Sequence, residues 1–222
     1  VNWQMNLGDL RALVLPTVAL RLRDDFSGHP PRGRVEIRLE QELDGAWEVT
    51  EQQVARTPSG VVYFPKLGRS ATPRTEPNRR YRVRVGWPLG RPLYSSAGGY
   101  PSEQAGVVFE VEAWNRYRRP TSAPPPHPVA LLPGPNYPFP AHVPVLRGTI
   151  RDGAGDPVAD ALVEFGAQER VLSDDHGRFA LPLRGATPGS VTLDVRDLLG
   201  RATTHTLAVP DELELEHDIV LT

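Results

Sequence analysis

The sequence predicts an all-β protein built as two tandem antiparallel β-sandwiches joined by a proline-rich linker. Three observations carry the prediction. The chain holds 24 prolines and 20 glycines among 222 residues, too many for a helical protein. Apolar and charged residues alternate with period two in several separate runs. Between Arg119 and Pro144 the composition shifts to a run of prolines that excludes a helix or a central strand.

The first sandwich is assigned to residues 17–118, after an N-terminal arm at 1–16. Its runs are Val18, Leu20, Leu22 against Arg21, Arg23; Val35, Ile37, Leu39 against Glu36, Arg38; Tyr81, Val83, Val85 against Arg82, Arg84; and Phe109, Val111, Ala113 against Glu110, Glu112. One apolar and one charged face per run means antiparallel sheets with a single buried side. Val61 to Phe64 reads as a shorter strand after the Pro58-Ser59-Gly60 turn, and Asp44-Gly45 is a hairpin signal that places Trp47 across its strand pair. The best helix candidate is Asp9 to Leu15, stopped by Pro16.

The linker is assigned to 119–144. Fully extended as polyproline II it would reach on the order of 75 Å, shortened by any contacts of Tyr137 and Phe139. It reads as a spacer lying against its own domains, or as a strap docking in a neighbouring subunit's groove.

The second sandwich is assigned to 145–222. Here Gly148 to Val163 spells G-x-I-x-D-x-x-G-x-P-V-x-D-A-x-V, and Ser173 to Leu183 spells S-D-D-H-G-R-F-x-L-x-L. These residues resemble the carboxypeptidase regulatory-like domain family, which implies a small, seven-stranded Ig-like or transthyretin-like sandwich. That family is mostly non-catalytic. Its best-known relatives sit beside a zinc carboxypeptidase, but that catalytic domain and its zinc ligands are missing here, so peptidase activity does not carry over. The first half follows a similar order: Arg23-Asp24, then Gly28, Pro30 and Gly33 before Val35 and Ile37, against Arg151-Asp152, Gly155, Pro157 and Ala161 before Val163 and Phe165. The first sandwich then reads as a divergent copy enlarged by loops at Lys66 to Arg80 and Gly86 to Gly106. A domain of about 75 residues buries only about 60 to 65% of its unfolded surface. The second sandwich, without cysteines to cross-link it, should therefore lean on a neighbour.

Composition also narrows function. The formal charge of −2 offers no basic excess for nucleic acid. Lys66 is the single lysine, and the arginine bias reads as a GC-rich bacterial genome. With no cysteine there is no thiol nucleophile and no Cys-ligated metal. No apolar run approaches the roughly 18 residues needed for membrane insertion. The first twenty residues lack a secretory pattern, so either a leader has already been removed or there never was one; Val1 is what a GTG start codon gives, which favours the leaderless option, a product made in the cytoplasm and incorporated into an extracellular particle or filament.

No catalytic motif, cofactor fingerprint or metal-spaced cluster is present, so catalytic, cofactor and metal residues are all expected to be none. The six histidines are scattered, and Asp174, Asp175 and His176 read as turn chemistry, as do Asp24 and Asp25. Candidate interaction residues are the aromatic and arginine side chains that anchor interfaces or stack on sugars: Trp3 in the arm, Trp87, Arg91, Tyr94 and Tyr100 in the long loop, Trp114 and Tyr117 after it, and Tyr137 and Phe139 in the linker. Trp87 and Trp114 have a plainer reading as caps on the sandwich core. Arg82 and Arg84, with Arg80, face outward from one strand, while Glu214 and Glu216, with Glu212 and Asp218, are expected on the outer face of the last strand; docking of one set on the other in a second copy is one reading, edge protection the other. The leading expectation is a non-catalytic structural protein with protein partners, self or other subunits of a phage tail-like particle, contractile injection apparatus or filament. The alternative is a carbohydrate-binding or adhesive module using Trp87, Tyr94, Tyr100 or Trp114 to stack on glycans.

Overall fold

The computed structural model describes residues 18–33, 35–73, 76–86, 93–94, 107–115, 117, 125–166 and 169–222. The fold is all-β. Strands β1 (Ala19–Asp24), β2 (Glu36–Leu43), β3 (Ala46–Val49), β4 (Ala55–Arg56), β5 (Val61–Tyr63), β6 (Arg79–Gly86), β7 (Val107–Val111) and β8 (His127–Leu131) form an N-terminal pair of sheets, in orders β4-β5-β1-β8 and β3-β2-β6-β7. Strands β9 (Val145–Asp152), β10 (Leu162–Phe165), β11 (Glu169–Leu172), β12 (Arg178–Pro182), β13 (Gly189–Arg196), β14 (Ala202–Val209) and β15 (Glu216–Leu221) form a C-terminal pair, β12-β9-β15 and β11-β10-β13-β14.

Period-two alternation builds each core, because successive side chains point to opposite faces. In the N-terminal pair Leu20, Leu22, Val62 and Leu131 from one sheet meet Leu39, Val83, Val85 and Phe109 from the other in one cluster. In the C-terminal pair Ile150, Phe179, Leu181 and Ile219 meet Val163, Val171, Leu193 and Val195. The Asp44-Gly45 signal is a two-residue hairpin with both residues at positive φ, joining Leu43 to its partner Ala46.

Both pairs run the same course. β5, β1 and β8 correspond to β12, β9 and β15, with β1–β5 and β9–β12 antiparallel and β1–β8 and β9–β15 parallel. β3, β2, β6 and β7 correspond to β11, β10, β13 and β14, and β4 is an addition. Register follows too: Leu22 and Asp24 lie opposite Val129 and Leu131, as Ile150 and Asp152 lie opposite Ile219 and Leu221. Gly60 and Gly177, both at positive φ, accept the backbone N–H of Leu22 and Ile150 respectively.

The proline-rich stretch does not act only as a tether. Within it β8 pairs with β1 from Leu20↔His127 to Asp24↔Leu131, at the edge of its sheet, where Pro128 costs no ladder bond to a further strand. Beyond β8, Tyr137 is buried in the N-terminal core and Phe139 packs against it. The C-terminal acidic run also differs from expectation. Pro210 to Leu215 is a turn, closed by Leu213 N–H to Pro210 O and Leu215 N–H to Glu212 O, so Glu212 and Glu214 precede the last strand and Glu216 begins it. The candidate helix at Asp9 to Leu15 lies outside the described residues.

Gly177 has φ +74, and a Cβ there would stand 2.3 Å from Ile150 O. Gly177→Ala should cost about 2 kcal/mol or more in denaturant unfolding. Gly60→Ala, whose Cβ would meet Leu22 O at 3.0 Å, should cost less, and Gly153→Ala, in open space, about 0.5 kcal/mol or less.

Candidate interaction site: the Asp24–Ser27 turn and the seam

The site grows from the carboxyl end of β1. Asp24 leaves the strand fully buried, and its Oδ1 accepts the N–H groups of Phe26 (2.9 Å) and Ser27 (3.1 Å), a side-chain turn of the kind Asp favours. Its Oδ2 accepts two phenols, Tyr94 at 2.9 Å and Tyr137 at 2.6 Å. Tyr94 Oη in turn accepts the Arg32 N–H at 2.9 Å. One carboxylate thus ties the strand, its own turn, the long loop and the proline-rich stretch together.

Asp25 points the other way. Arg170 on β11 grips it with two N–H···O bonds, Nε at 2.9 Å and Nη2 at 3.0 Å, the bidentate geometry that makes guanidinium–carboxylate pairs directional. Phe26 lies edge-on to Tyr137 (5.6 Å) and Phe139 (5.1 Å). Arg184 stands 4.3 Å over the Phe26 ring, donates to Phe26 O at 2.9 Å and is held by the buried Glu169. Behind it Leu132 packs with Leu162 and Leu172. Arg147 reaches Pro135 O at 3.2 Å. These contacts form a seam between the two pairs of sheets, on which the small C-terminal pair leans.

Burial pushes the Tyr137 phenol up to about 12, reinforced by its hydrogen bond to Asp24 and the charge of that carboxylate; Tyr94 is raised by the same causes. Both phenols stay neutral donors throughout the physiological range.

Of the candidate interaction residues, Tyr94, Tyr137 and Phe139 are brought together here as packing and hydrogen-bonding groups, and Tyr94 is fully buried. Trp114 is half-buried and donates Nε1–H to Leu67 O. Tyr117 is 80% exposed. Trp3, Trp87, Arg91 and Tyr100 lie outside the described residues. Arg82 is paired with Glu40 and stacked 4.6 Å over Trp47, and Arg80 is paired with Glu42. Of the three outward arginines of β6, these two are therefore neutralised within their own sheet, and Arg84 alone is exposed without an ion pair among the described residues. Glu214 and Glu216 are exposed.

Sequence reasoning missed Asp24, Asp25, Phe26, Arg170 and Arg184 as a group. Asp24 gives the same local signal as Asp152, Asp174 and Asp197, each of which also accepts turn N–H groups. It also missed that β14 and β15 bring His205 Nε2 to 3.1 Å from His217 Nδ1, with His217 Nε2 donating to Glu212 O. Among the described residues, no group of three His, Cys, Asp or Glu side chains could hold a metal, and no helix is long and apolar enough to cross a membrane.

No family model matches the chain, and no curated protein matches it. Among solved structures the chain is similar to the TIE protein of Bacillus anthracis, at 14% identity over 92% of this chain and 33% of that one, TM-score 0.28. It is similar to a Streptococcal ancillary pilin at 11% identity over 92% of this chain and 67% of that one, TM-score 0.28. It is also similar to the major pilin subunit of Bacillus cereus, at 11% identity over 86% of this chain and 57% of that one, TM-score 0.22. The chain spans a third of the length of the first of these. Identities and TM-scores of this size establish no shared site, and the functional reading rests on this chain's own geometry.

Asp24→Ala strips two buried phenols and two turn N–H groups of their acceptor and should cost about 3 kcal/mol or more in chemical unfolding. An unfolded phenol ionises near about 10. The raised folded values therefore contribute stability that is complete below that pH and is lost as pH climbs toward about 12. In a spectrophotometric titration, two of the six tyrosines should ionise only together with alkaline unfolding.

Proposed function

We propose that this protein is a non-catalytic structural subunit that contributes surfaces to a larger assembly, such as a filament or a tail-like particle. The observation that carries the reading is the seam. Its aromatic, arginine and aspartate side chains are spent on fixing one pair of sheets against the other, which gives a subunit of defined shape, the property a repeating assembly needs. We infer further that strands β9–β15 are a carboxypeptidase regulatory-like sandwich and β1–β8 a divergent copy of it. The matching strand orders and the shared β1–β8 and β9–β15 registers support this.

Of the four rings named for the carbohydrate-binding alternative, Trp87 and Tyr100 lie outside the described residues and the other two are engaged within the fold. Tyr94 has no exposed ring face to offer a sugar, and the Trp114 N–H is occupied.

Size-exclusion chromatography with light scattering on material taken directly from cells tests the reading. The expected result is a discrete particle or polymer many times the 24.5 kDa of the chain. A monomer that binds on a glycan array would contradict it and favour the alternative.

A further inference from the structure

A groove beside the seam is lined by more guanidiniums than carboxylates. With a volume of about 420 Å³, it opens between the Asp25–Gly28 turn and the C-terminal sheets, and its walls bring three guanidiniums together: Arg23, Arg170 and Arg184. Two of them have carboxylate partners, Asp25 for Arg170 and Glu169 for Arg184. Arg23 has none. It projects from the exposed face of β1, lies over Gly28 with Nη2 3.1 Å from where a Cβ would be, and makes no ion pair among the described residues. Gly28, at φ +74, leaves the space the Arg23 guanidinium occupies.

The paired arginines also keep donors in reserve. A guanidinium has five N–H bonds in a planar fork. Arg170 spends Nε and Nη2 on Asp25, leaving Nη1. Arg184 spends Nε and Nη2 on Glu169 and one Nη1 hydrogen on Phe26 O. The groove is therefore rich in N–H donors, and Asp25 is the single carboxylate among its lining residues.

We propose that this groove is a binding site for a tetrahedral oxyanion, phosphate or sulfate. A tetrahedral dianion presents oxygens in several directions and can accept from forks on both walls, whereas a single carboxylate matches one fork. At about 30 Å³ per water, the groove has room for the ion with part of its hydration shell. Arg23 comes from the N-terminal sheets and Arg170 and Arg184 from the C-terminal sheets, so the bound ion bridges the seam and adds to its cohesion. Among the described residues the Arg23 side chain makes no ion pair, which makes it the clean residue to remove.

Calorimetric titration of the intact chain with inorganic phosphate, and separately with inorganic sulfate, at fixed ionic strength tests the site. The expected result is saturable binding of one ion per chain by at least one of the two, the pair of titrations telling which. Arg23→Ala should weaken it about tenfold, the equivalent of one charge-assisted contact. Arg56→Ala, which removes an exposed arginine on β4, should leave it unchanged and thereby separate the site from general charge. Absence of saturable binding by both ions, or equal affinity in the Arg23→Ala and parent proteins, would overturn the proposal.

Discussion

Two adjacent carboxylates pointing in opposite directions hold this molecule in its shape. Asp24 turns inward, where a buried carboxylate without partners would be prohibitive. It survives there because two backbone N–H groups and two phenols converge on it. Asp25 turns outward to Arg170. The position of the proline-rich stretch, the burial of Tyr94 and Tyr137, and the lean of the C-terminal sheets all follow from those four residues of turn.

The two pairs of sheets share one plan but use it differently. Where the N-terminal turn reads Asp24-Asp25-Phe26, the C-terminal one reads Asp152-Gly153-Ala154. Asp152 keeps the local role, accepting the N–H groups of Ala154 and Asp156. Gly153 and Ala154 have neither the charge nor the ring to make a second seam. The junction is thus made once within the chain, and it gives the smaller pair a neighbour in place of the disulfides that small sandwiches often need.

Strands were legible because burial on one face imposes period two directly on the sequence, and the Asp44-Gly45 hairpin because few residues tolerate successive positive φ values. The seam was not. Asp24 and Asp152 carry the same local signal, and only tertiary burial separates a turn aspartate from the hub of a network. Arg170 on β11 and Arg184 in the turn after β12 carry no local signal that sets them apart until another part of the chain arrives opposite them. The proline run was read as a tether from composition, yet an edge strand needs donors on one side only, and β8 meets that requirement. The acidic C-terminal run mimicked strand alternation, but Pro210 and the closing turn bonds break the strand before Glu216.

The central claim is that the Asp24–Ser27 turn joins both pairs of sheets into one body. Backbone ¹⁵N relaxation on the intact chain measures this most directly. The account predicts a single rotational correlation time for residues of β1–β8 and β9–β15, set by the mass of the whole chain. Two separate and shorter correlation times, one for each pair of sheets, would contradict it.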